Sequence, residues 1–344
     1  MTTQYSFVSS CINVDEFDQM LHRSLNRCLS TSIHDMLKGK KIIFNMDERT
    51  KIPINGWGMK SNPYCATTIN PIKPILENTT VSAIDSSSIQ VAETEEGTLY
   101  AVKCGIVMSS RGQTFIHLRI GPILFYLSKE TIRDSEIDHR LAKLILFDNE
   151  CAKRLIRVRI ERAVQMIISN HFKRSIILID GSLKPSLFED KDQSIKNVAE
   201  NCALNRNSMI GISKSTKFKI LDKISSSLTK IPGPAYMDVN LVIKSLIRNT
   251  IGDSVIVKFG NGNSAILRAD IVTSDRNKYF LFGKLLGNDS MADGYPETLR
   301  LAHHISTFTN TEVSCLKGHI LSSYEVTELA SEDIRRTLLG SLLI

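Results

Sequence analysis

The sequence predicts an α/β protein, because segments with strand periodicity alternate with segments of helical periodicity along its central part. Three closely spaced segments with alternating apolar and polar residues come first, and short, continuously apolar segments separated by helical stretches follow. Alternating segments joined by short turns are typical of antiparallel strands, whereas continuous apolar runs between helices are typical of buried parallel strands. We therefore expect a mixed sheet with helices on its faces.

The order of these elements narrows the fold. Three strands, at residues 81–94, 97–110 and 113–127, are expected to form an antiparallel meander. The elements predicted after them are a helical region at 135–172, a strand at 175–180, a helix near 191–205, a strand at 208–213 and a helix near 216–229. This order of strands and helices is that of the ribonuclease-H-like fold, which by itself does not assign a function.

The remaining segments complete the predicted domain organisation. Residues 1–75 are expected to be a helical and irregular N-terminal extension, residues 76–310 the main α/β domain, and residues 311–344 a tail. The main domain is expected to end with strands near 253–259, 264–273 and 278–286 and a helix near 296–309. The tail is apolar at its end, so it could dock on a partner, contact a second copy or pack against its own domain.

Composition limits the function classes. The chain has 344 residues, a formal net charge of +7 and a pI of about 9.0, which favours a polyanionic partner without requiring one. Its seven cysteines form no C-x-x-C pair, which argues against a zinc ribbon and favours reduced thiols in the cytoplasm. Apolar runs stay shorter than a membrane span requires, so we expect no membrane association.

Two aspartates follow buried strand candidates. Asp85 follows Val81–Ile84 and Asp180 follows Ile176–Ile179, and small residues come after both. An Asp at the carboxyl end of a strand lies at the edge where α/β sheets bind ligands, although Asp-Gly-Ser is also good turn chemistry. Hydrolysis of a phosphodiester by two hard divalent cations needs several such carboxylates close together. The pair therefore predicts a site for Mn²⁺ or Mg²⁺.

A third carboxylate is expected from the long helical region. The strand that leads to Asp180 climbs about 17 Å. The preceding helix has to descend a similar distance to Phe172, and eleven residues of helix, about 17 Å, lead to Glu161. The competing acidic residues of this region are Asp138, Asp148 and Glu150. The alternative is a solvated helix glutamate paired with neighbouring basic residues.

Other candidate site residues lie in or just before the helix that ends the main domain, and after the strand at 208–213. His303 and His304 follow Pro296, which suits the first turn of a helix, and Asp293 is a competing acidic residue. A helical His beside a metal site can bind the metal or orient a phosphate, and a His without a role is the alternative. Lys214 follows a strand, where it could meet a phosphate or remain a solvated loop residue.

Taken in order, these motifs resemble the NurA family. The matching stretches are AIDSSS at Asp85, RIERA at Glu161, ILIDGSL at Asp180, GISKST at Lys214 and GYPETLRLAHH at His303. Their order and approximate spacing match the family over about residues 80–305. Two departures are a D-S-S in place of D-G-S in the first motif and the lack of a matching motif in residues 1–75.

The resemblance implies a Mn²⁺-dependent nuclease, with Mg²⁺ as the other candidate ion, that acts on single-stranded and double-stranded DNA. It implies 5′-to-3′ exonuclease and single-strand endonuclease activity, a homodimer, and a HerA-type hexameric translocase as partner in DNA end resection. The metal-site residues that it implies are Asp85, Glu161, Asp180 and His303, with His304 as the alternative to His303.

These residues suggest a mechanism in which both aspartates bridge two Mn²⁺ ions. Glu161 completes the coordination of one ion and His303 that of the other. Contacts to the DNA backbone are expected to be independent of sequence. The candidates for them are Arg154, Arg157, Lys217 and Lys219. Tyr295 is a candidate for separating DNA strands, or packs beside Pro296.

Two other functions compete with this one. A catalytically silent ribonuclease-H-like protein would bind DNA or scaffold a translocase without cleaving. A phosphatase of the haloacid-dehalogenase type would need Asp-x-Asp, whereas Gly181 and Ser182 follow Asp180. The sequence contains no G-x-x-x-x-G-K-[ST] loop, so ATP hydrolysis by P-loop chemistry is not expected.

Overall fold

The computed structural model describes residues 68–324 apart from 95, 134–136, 215–226, 247–248 and 274–276. The helix predicted in the first 40 residues, most of the helix predicted near 216–229 and the end of the tail lie outside the described residues.

The secondary structure follows the predicted order through most of the main domain. The strands are β1 (Ile69–Pro71), β2 (Val81–Glu93), β3 (Gly97–Ser110), β4 (Gln113–Ser128), β5 (Ile176–Asp180), β6 (Ser208–Ser213), β7 (Ala235–Asp238), β8 (Asp253–Lys258), β9 (Ile266–Val272), β10 (Met291–Ala292) and β11 (Tyr295–Pro296). The helices are α1 (Lys129–Arg133), α2 (His139–Phe147), α3 (Asn149–His171), α4 (Ile195–Leu204), α5 (Asn240–Leu246), α6 (Lys278–Asn288), α7 (Glu297–Ser306) and α8 (Asn310–Ser323).

Strands β1 to β9 form one mixed sheet in the order β1-β7-β8-β9-β6-β5-β2-β3-β4. The predicted meander is confirmed, because β2 pairs antiparallel with β3 and β3 antiparallel with β4. Strand β5 then pairs parallel with β2, and β6 pairs parallel with β5. Three antiparallel strands followed by two parallel ones make the ribonuclease-H-like core that the sequence predicts. The added strands β1, β7, β8 and β9 extend this core by antiparallel pairing.

Helices cover both faces of the sheet. Because side chains alternate along a strand, Val81 and Ala83 of β2 pack on the face of α6 and α7, while Ile84 packs on the face of α3 and α4. The long helical region that the sequence predicts is divided at Asp148, whose carboxylate caps α3 by accepting from the Glu150 amide. None of the helices in the described residues combines the length and apolar character needed to cross a bilayer.

The strand predicted at 278–286 is wrong, because this segment is helix α6. The side chain of Asn277 caps its first turn by accepting from the Tyr279 amide. Leu281, Phe282 and Leu285 are buried at helical spacing against the sheet. A short apolar run does not distinguish a buried strand from a buried helix, and the cap decides the outcome here.

Helix α8 is held on the sheet by a buried lysine. The Lys103 side chain, on β3, is 2% exposed, and its ammonium donates to the Thr307 carbonyl at 2.8 Å and to the Glu312 carboxylate at 2.9 Å. Arg119 adds a second ion pair to Glu312 at 2.9 Å. Leu316 and Ile320 of α8 pack beside this network. The first part of the predicted tail therefore packs against its own domain.

This network predicts an acid-sensitive contribution to stability. Hydrogen bonds from the Thr309 amide and the Lys103 ammonium lower the pKa of Glu312 from 4.5 to about 2. A group with a lowered pKa in the folded state stabilises the protein above its unfolded pKa, and this contribution disappears as the pH falls from about 4.5 to about 2. We therefore expect the melting temperatures of wild type and Glu312→Gln to differ at neutral pH and to converge in acid.

Melting curves followed by circular dichroism between neutral pH and pH 3 measure this convergence. Glu200→Gln is the matched control, because the Glu200 carboxylate is exposed and lies 3.7 Å from Lys196 in a solvated pair. A wild-type advantage over Glu312→Gln that stays constant down to pH 3 would contradict the assignment.

Candidate functional site

Asp85, within β2, and Asp180, at the end of β5, lie side by side where the parallel pairing of these two strands ends. Ile84 of β2 is paired in register with Ile179 of β5, and each aspartate is the next residue along its strand. Neighbouring strands are about 4.8 Å apart, and residues in register point to the same face of a sheet. The two carboxylates are thus directed to the face that α7 covers.

Helix α7 supplies the nearest partners of Asp85. The Asp85 carboxylate is 2.7 Å from the Nδ1 atom of His303 and accepts a hydrogen bond of 3.2 Å from the Ser306 hydroxyl. This approach depends on Gly105, which pairs with Asp85 on β3, because a Cβ atom there would lie 2.5 Å from the Ala302 carbonyl oxygen. His303 is 59% exposed and can therefore still reach a substrate.

Glu161 reaches the same sheet edge from the opposite face. Its carboxylate accepts a hydrogen bond of 2.5 Å from Ser86, the residue after Asp85. Burial raises the pKa of Glu161 to about 7. The hydrogen bond from Ser86 lowers this pKa and the negative charge of Asp85 raises it. A carboxylate that is costly to ionise without a cation nearby is suited to a site that binds one.

The Asp180 carboxylate is paired with Lys214 at 2.8 Å. Gly181, which follows it, has a φ of 110°, a conformation that glycine adopts without a steric penalty. The ammonium of Lys214 also lies 5.0 Å from the centre of the Tyr295 ring. Burial and the negative charges of Asp180 and Asp85 raise the pKa of Tyr295, so its phenol stays protonated beside the two aspartates.

A buried aspartate fixes the loop that leaves Asp180. Asp270 on β9 is fully buried, and its carboxylate accepts from the Leu183 amide at 3.1 Å and from the Ser254 hydroxyl at 2.6 Å. Arg268, also buried, donates two more hydrogen bonds to it at 2.8 Å. This network holds the backbone three residues beyond Asp180.

The other acidic candidates from the sequence lie away from this cluster. Asp138 caps α2 by accepting from the Arg140 amide, Asp148 caps α3, and Glu150 pairs with Lys153. Asp293 is exposed in the turn between β10 and β11, with a φ of 51°. His304 is exposed and, among the described residues, contacts none of the three clustered carboxylates.

Two of the four basic candidates lie among the residues that the structure describes. Arg154 is exposed and stacks over the Phe188 ring at 5.3 Å. Arg157 is exposed one helical turn before Glu161, and its positive charge lowers the pKa of that glutamate. Lys217 and Lys219 lie outside the described residues. Of the two basic candidates that the structure describes, Arg157 is the one beside a carboxylate of the cluster.

The chemistry of the donor set fits a hard divalent cation. The site offers carboxylate oxygens from Asp85, Glu161 and Asp180 and an imidazole from His303, which are ligand types of Mn²⁺ and Mg²⁺ sites. Among the residues that the structure describes, no three His, Cys, Asp or Glu side chains are close enough to hold an ion in their present conformations. The Asp85–His303 and Asp180–Lys214 pairs would have to open or share an oxygen to admit one.

Sequence reasoning missed the hydroxyl and carboxyl groups that position these side chains. Ser86 and Ser306 contact Glu161 and Asp85, and Asp270 holds the loop after Asp180. Contacts between residues so far apart in sequence leave no local signal. The one available indication was the acidic Asp270 inside the apolar strand β9, since a buried charge needs partners.

Comparison with protein-family models gives a match to the NurA domain over residues 79–307. Among solved structures, the NurA nuclease from Sulfolobus solfataricus is 13% identical with a TM-score of 0.48, and 93% of this chain and 100% of that one are covered. Endonuclease V of Ciona intestinalis, in complex with a 23mer DNA, is 14% identical with a TM-score of 0.35 over 72% of this chain and 92% of that one. The comparison with curated proteins gives no match.

Proposed function

Because the chain belongs to the NurA family of nucleases, we propose that it hydrolyses DNA phosphodiester bonds with divalent metal ions at the cluster of Asp85, Glu161, Asp180 and His303. The observation that carries this proposal is the in-register placement of Asp85 and Asp180 on parallel strands, with Glu161 brought to the same edge by α3. Carboxylates from adjacent strands and from a covering helix are the arrangement that metal-dependent phosphodiester hydrolysis needs.

The acidic residues supply the ligands. When bound, Mn²⁺ or Mg²⁺ lowers the pKa of a water and offsets the charge on the scissile phosphate. Asp85, Asp180 and Glu161 would hold the ions through their carboxylate oxygens. Ser86 and Ser306 hold Glu161 and Asp85 by hydrogen bonds of 2.5 Å and 3.2 Å, so their orientation is set before substrate binds.

His303, Lys214 and Tyr295 complete the proposed site. His303 is largely exposed and lies 2.7 Å from Asp85, so it can serve as a ligand or donate a proton to the leaving oxygen. The Lys214 ammonium is 52% exposed and 2.8 Å from Asp180, so it can form an ion pair with an incoming phosphate. The Tyr295 phenol, kept neutral by its raised pKa, can donate a hydrogen bond in this acidic pocket.

The DNA substrates, the direction of cleavage, the oligomeric state and the partner are also proposals. We expect Mn²⁺ to support cleavage of single-stranded and double-stranded DNA, with 5′-to-3′ exonuclease and single-strand endonuclease activity in DNA end resection. We expect the protein to act as a homodimer with a HerA-type translocase. The net charge of +7 supports a polyanionic substrate, and binding through phosphates would weaken as salt rises.

End-labelled single-stranded and double-stranded DNA, incubated with the full chain in Mn²⁺, Mg²⁺ or EDTA, tests the proposed function. We expect degradation with at least one of the ions and none in EDTA, because the carboxylates need a cation to act on a phosphate. Shortening from the 5′ label would support the proposed polarity. DNA binding without cleavage in either ion would instead identify a catalytically silent DNA-binding protein.

A further inference from the structure

A polar cleft of about 430 Å³ lies at the edge of the sheet opposite the carboxylates. It is formed where the parallel strands begin, with Ser175 and Ile176 at the start of β5 and Ser208 at the start of β6. Asp180 lies at the other end of β5, about 17 Å away at the rise of a strand. The cleft is therefore distinct from the site of proposed cleavage.

Three basic side chains line this cleft. Arg174 and Arg206 are exposed, and neither forms an ion pair with any described residue. Lys284 lies beside them and pairs with Glu77, the acidic residue of the lining, at 3.2 Å. The cleft thus has an excess of positive charge, and two of its cations retain their full hydrogen-bonding capacity toward a ligand from solvent.

Both arginines occupy backbone positions that normally favour glycine. Their φ angles are 54° and 56°, in the left-handed region where a side chain is sterically disfavoured. Arg206 directly follows the C-cap residue of α4, a position at which glycine is the usual residue. An arginine at each of these two positions costs stability. We take this cost as an indication that the side chains have a function.

The two turns that carry the arginines are tied together. The Asn207 side chain, on a residue that is 1% exposed, accepts from the Ser175 amide at 3.0 Å and donates to the carbonyls of Ser169 and Phe172 at 2.9 Å and 2.8 Å. The Arg174 amide itself donates to the Asn205 carbonyl at 3.2 Å. These bonds fix the spacing of the arginines before any ligand arrives.

We propose that Arg174 and Arg206 bind backbone phosphates of the DNA, so that the substrate contacts the cleft as well as the cleavage site. Guanidinium groups form paired hydrogen bonds to phosphate oxygens, and such contacts carry no base specificity. The straight separation of about 17 Å runs along the buried strand β5, so the DNA has to pass around the covering helices and be longer than the roughly five base-pair steps that this distance corresponds to. This inference rests on the proposed function, because it takes DNA as the substrate.

The test variant is Arg174→Gly/Arg206→Gly, because glycine suits both backbone conformations and the fold is expected to be as stable as wild type or more so. Fluorescence anisotropy of a fluorescein-labelled single-stranded oligonucleotide, measured in EDTA over a range of salt, reports binding without cleavage. We expect affinity about tenfold lower. The slope of log affinity against log salt should fall by about 1.4, since each phosphate contact contributes about 0.7.

Lys196→Ala/Lys244→Ala is the charge-matched control, because both lysines are exposed and already paired with carboxylates on other surfaces. Unchanged affinity and slope in the arginine variant, or an equal loss in the control, would overturn the proposal. A loss of inorganic phosphate binding without a loss of DNA binding would assign the cleft to free phosphate instead. If the wild-type protein bound no DNA, the proposed function itself would be wrong.

Discussion

Replacing Asp180 by Asn is expected to reduce DNA cleavage by at least about 10³-fold while leaving DNA binding intact. The amide keeps the size of the side chain but removes the negative charge that a carboxylate metal ligand would supply. Its partner, Lys214 at 2.8 Å, is 52% exposed, so water can solvate the ammonium and the fold is expected to survive the change. Initial rates on labelled DNA and anisotropy in EDTA separate the two properties.

Asp293→Asn is the matched control for this experiment. Asp293 is an exposed acidic residue in the turn between β10 and β11, and its φ of 51° is one that Asn tolerates well. We expect this variant to cleave at the wild-type rate. If Asp180→Asn also keeps the wild-type rate, Asp180 is not a ligand and the proposed site is wrong.

The second large effect is on stability. Asp270→Ala is expected to lower the free energy of unfolding by about 3–5 kcal/mol, because the buried guanidinium of Arg268 would lose its counter-charge. The hydroxyl of Ser254 and the amide of Leu183 would also lose their acceptor. Urea denaturation of the two proteins measures the difference.

Asp253→Ala provides the comparison for Asp270→Ala. Asp253 is 43% exposed and pairs with Lys244 and Lys278 near the surface, so we expect its loss to cost about 1 kcal/mol or less. The double variant Arg268→Met/Asp270→Leu should recover part of the lost stability, because it removes the unpaired charge but leaves the Leu183 amide and the Ser254 hydroxyl without an acceptor. Equal and small costs for Asp270→Ala and Asp253→Ala would contradict the role given to the buried pair.

The core of the fold was predictable because its strands carry strong local patterns. The continuous apolar runs around Ile176–Ile179 and Met209–Ile212 correspond to parallel strands that are buried on both faces. The short outer strands β1 and β7 had no such pattern, since three or four residues do not establish a period. Helix α6 was missed because its apolar run fits either structure.

The candidate site was predictable where its residues directly follow apolar runs in the sequence. Asp85 and Asp180 were identified because each directly follows an apolar run, and the structure places them side by side. The length of the helix led to Glu161, which the structure brings within 2.5 Å of Ser86. The contacts of Ser306 with Asp85 and of Asp270 with the Asp180 loop depend on tertiary packing, which sequence spacing does not reveal.

The most direct test of the metal site is the position of Mn²⁺ in crystals of the full chain soaked with the ion. Anomalous scattering locates the ion without reference to activity. We predict a peak about 2.0–2.2 Å from carboxylate oxygens of Asp85 and Asp180, with Glu161 or His303 completing its coordination. A strong Mn²⁺ peak elsewhere, or no peak beside these aspartates at saturating Mn²⁺, would contradict the account.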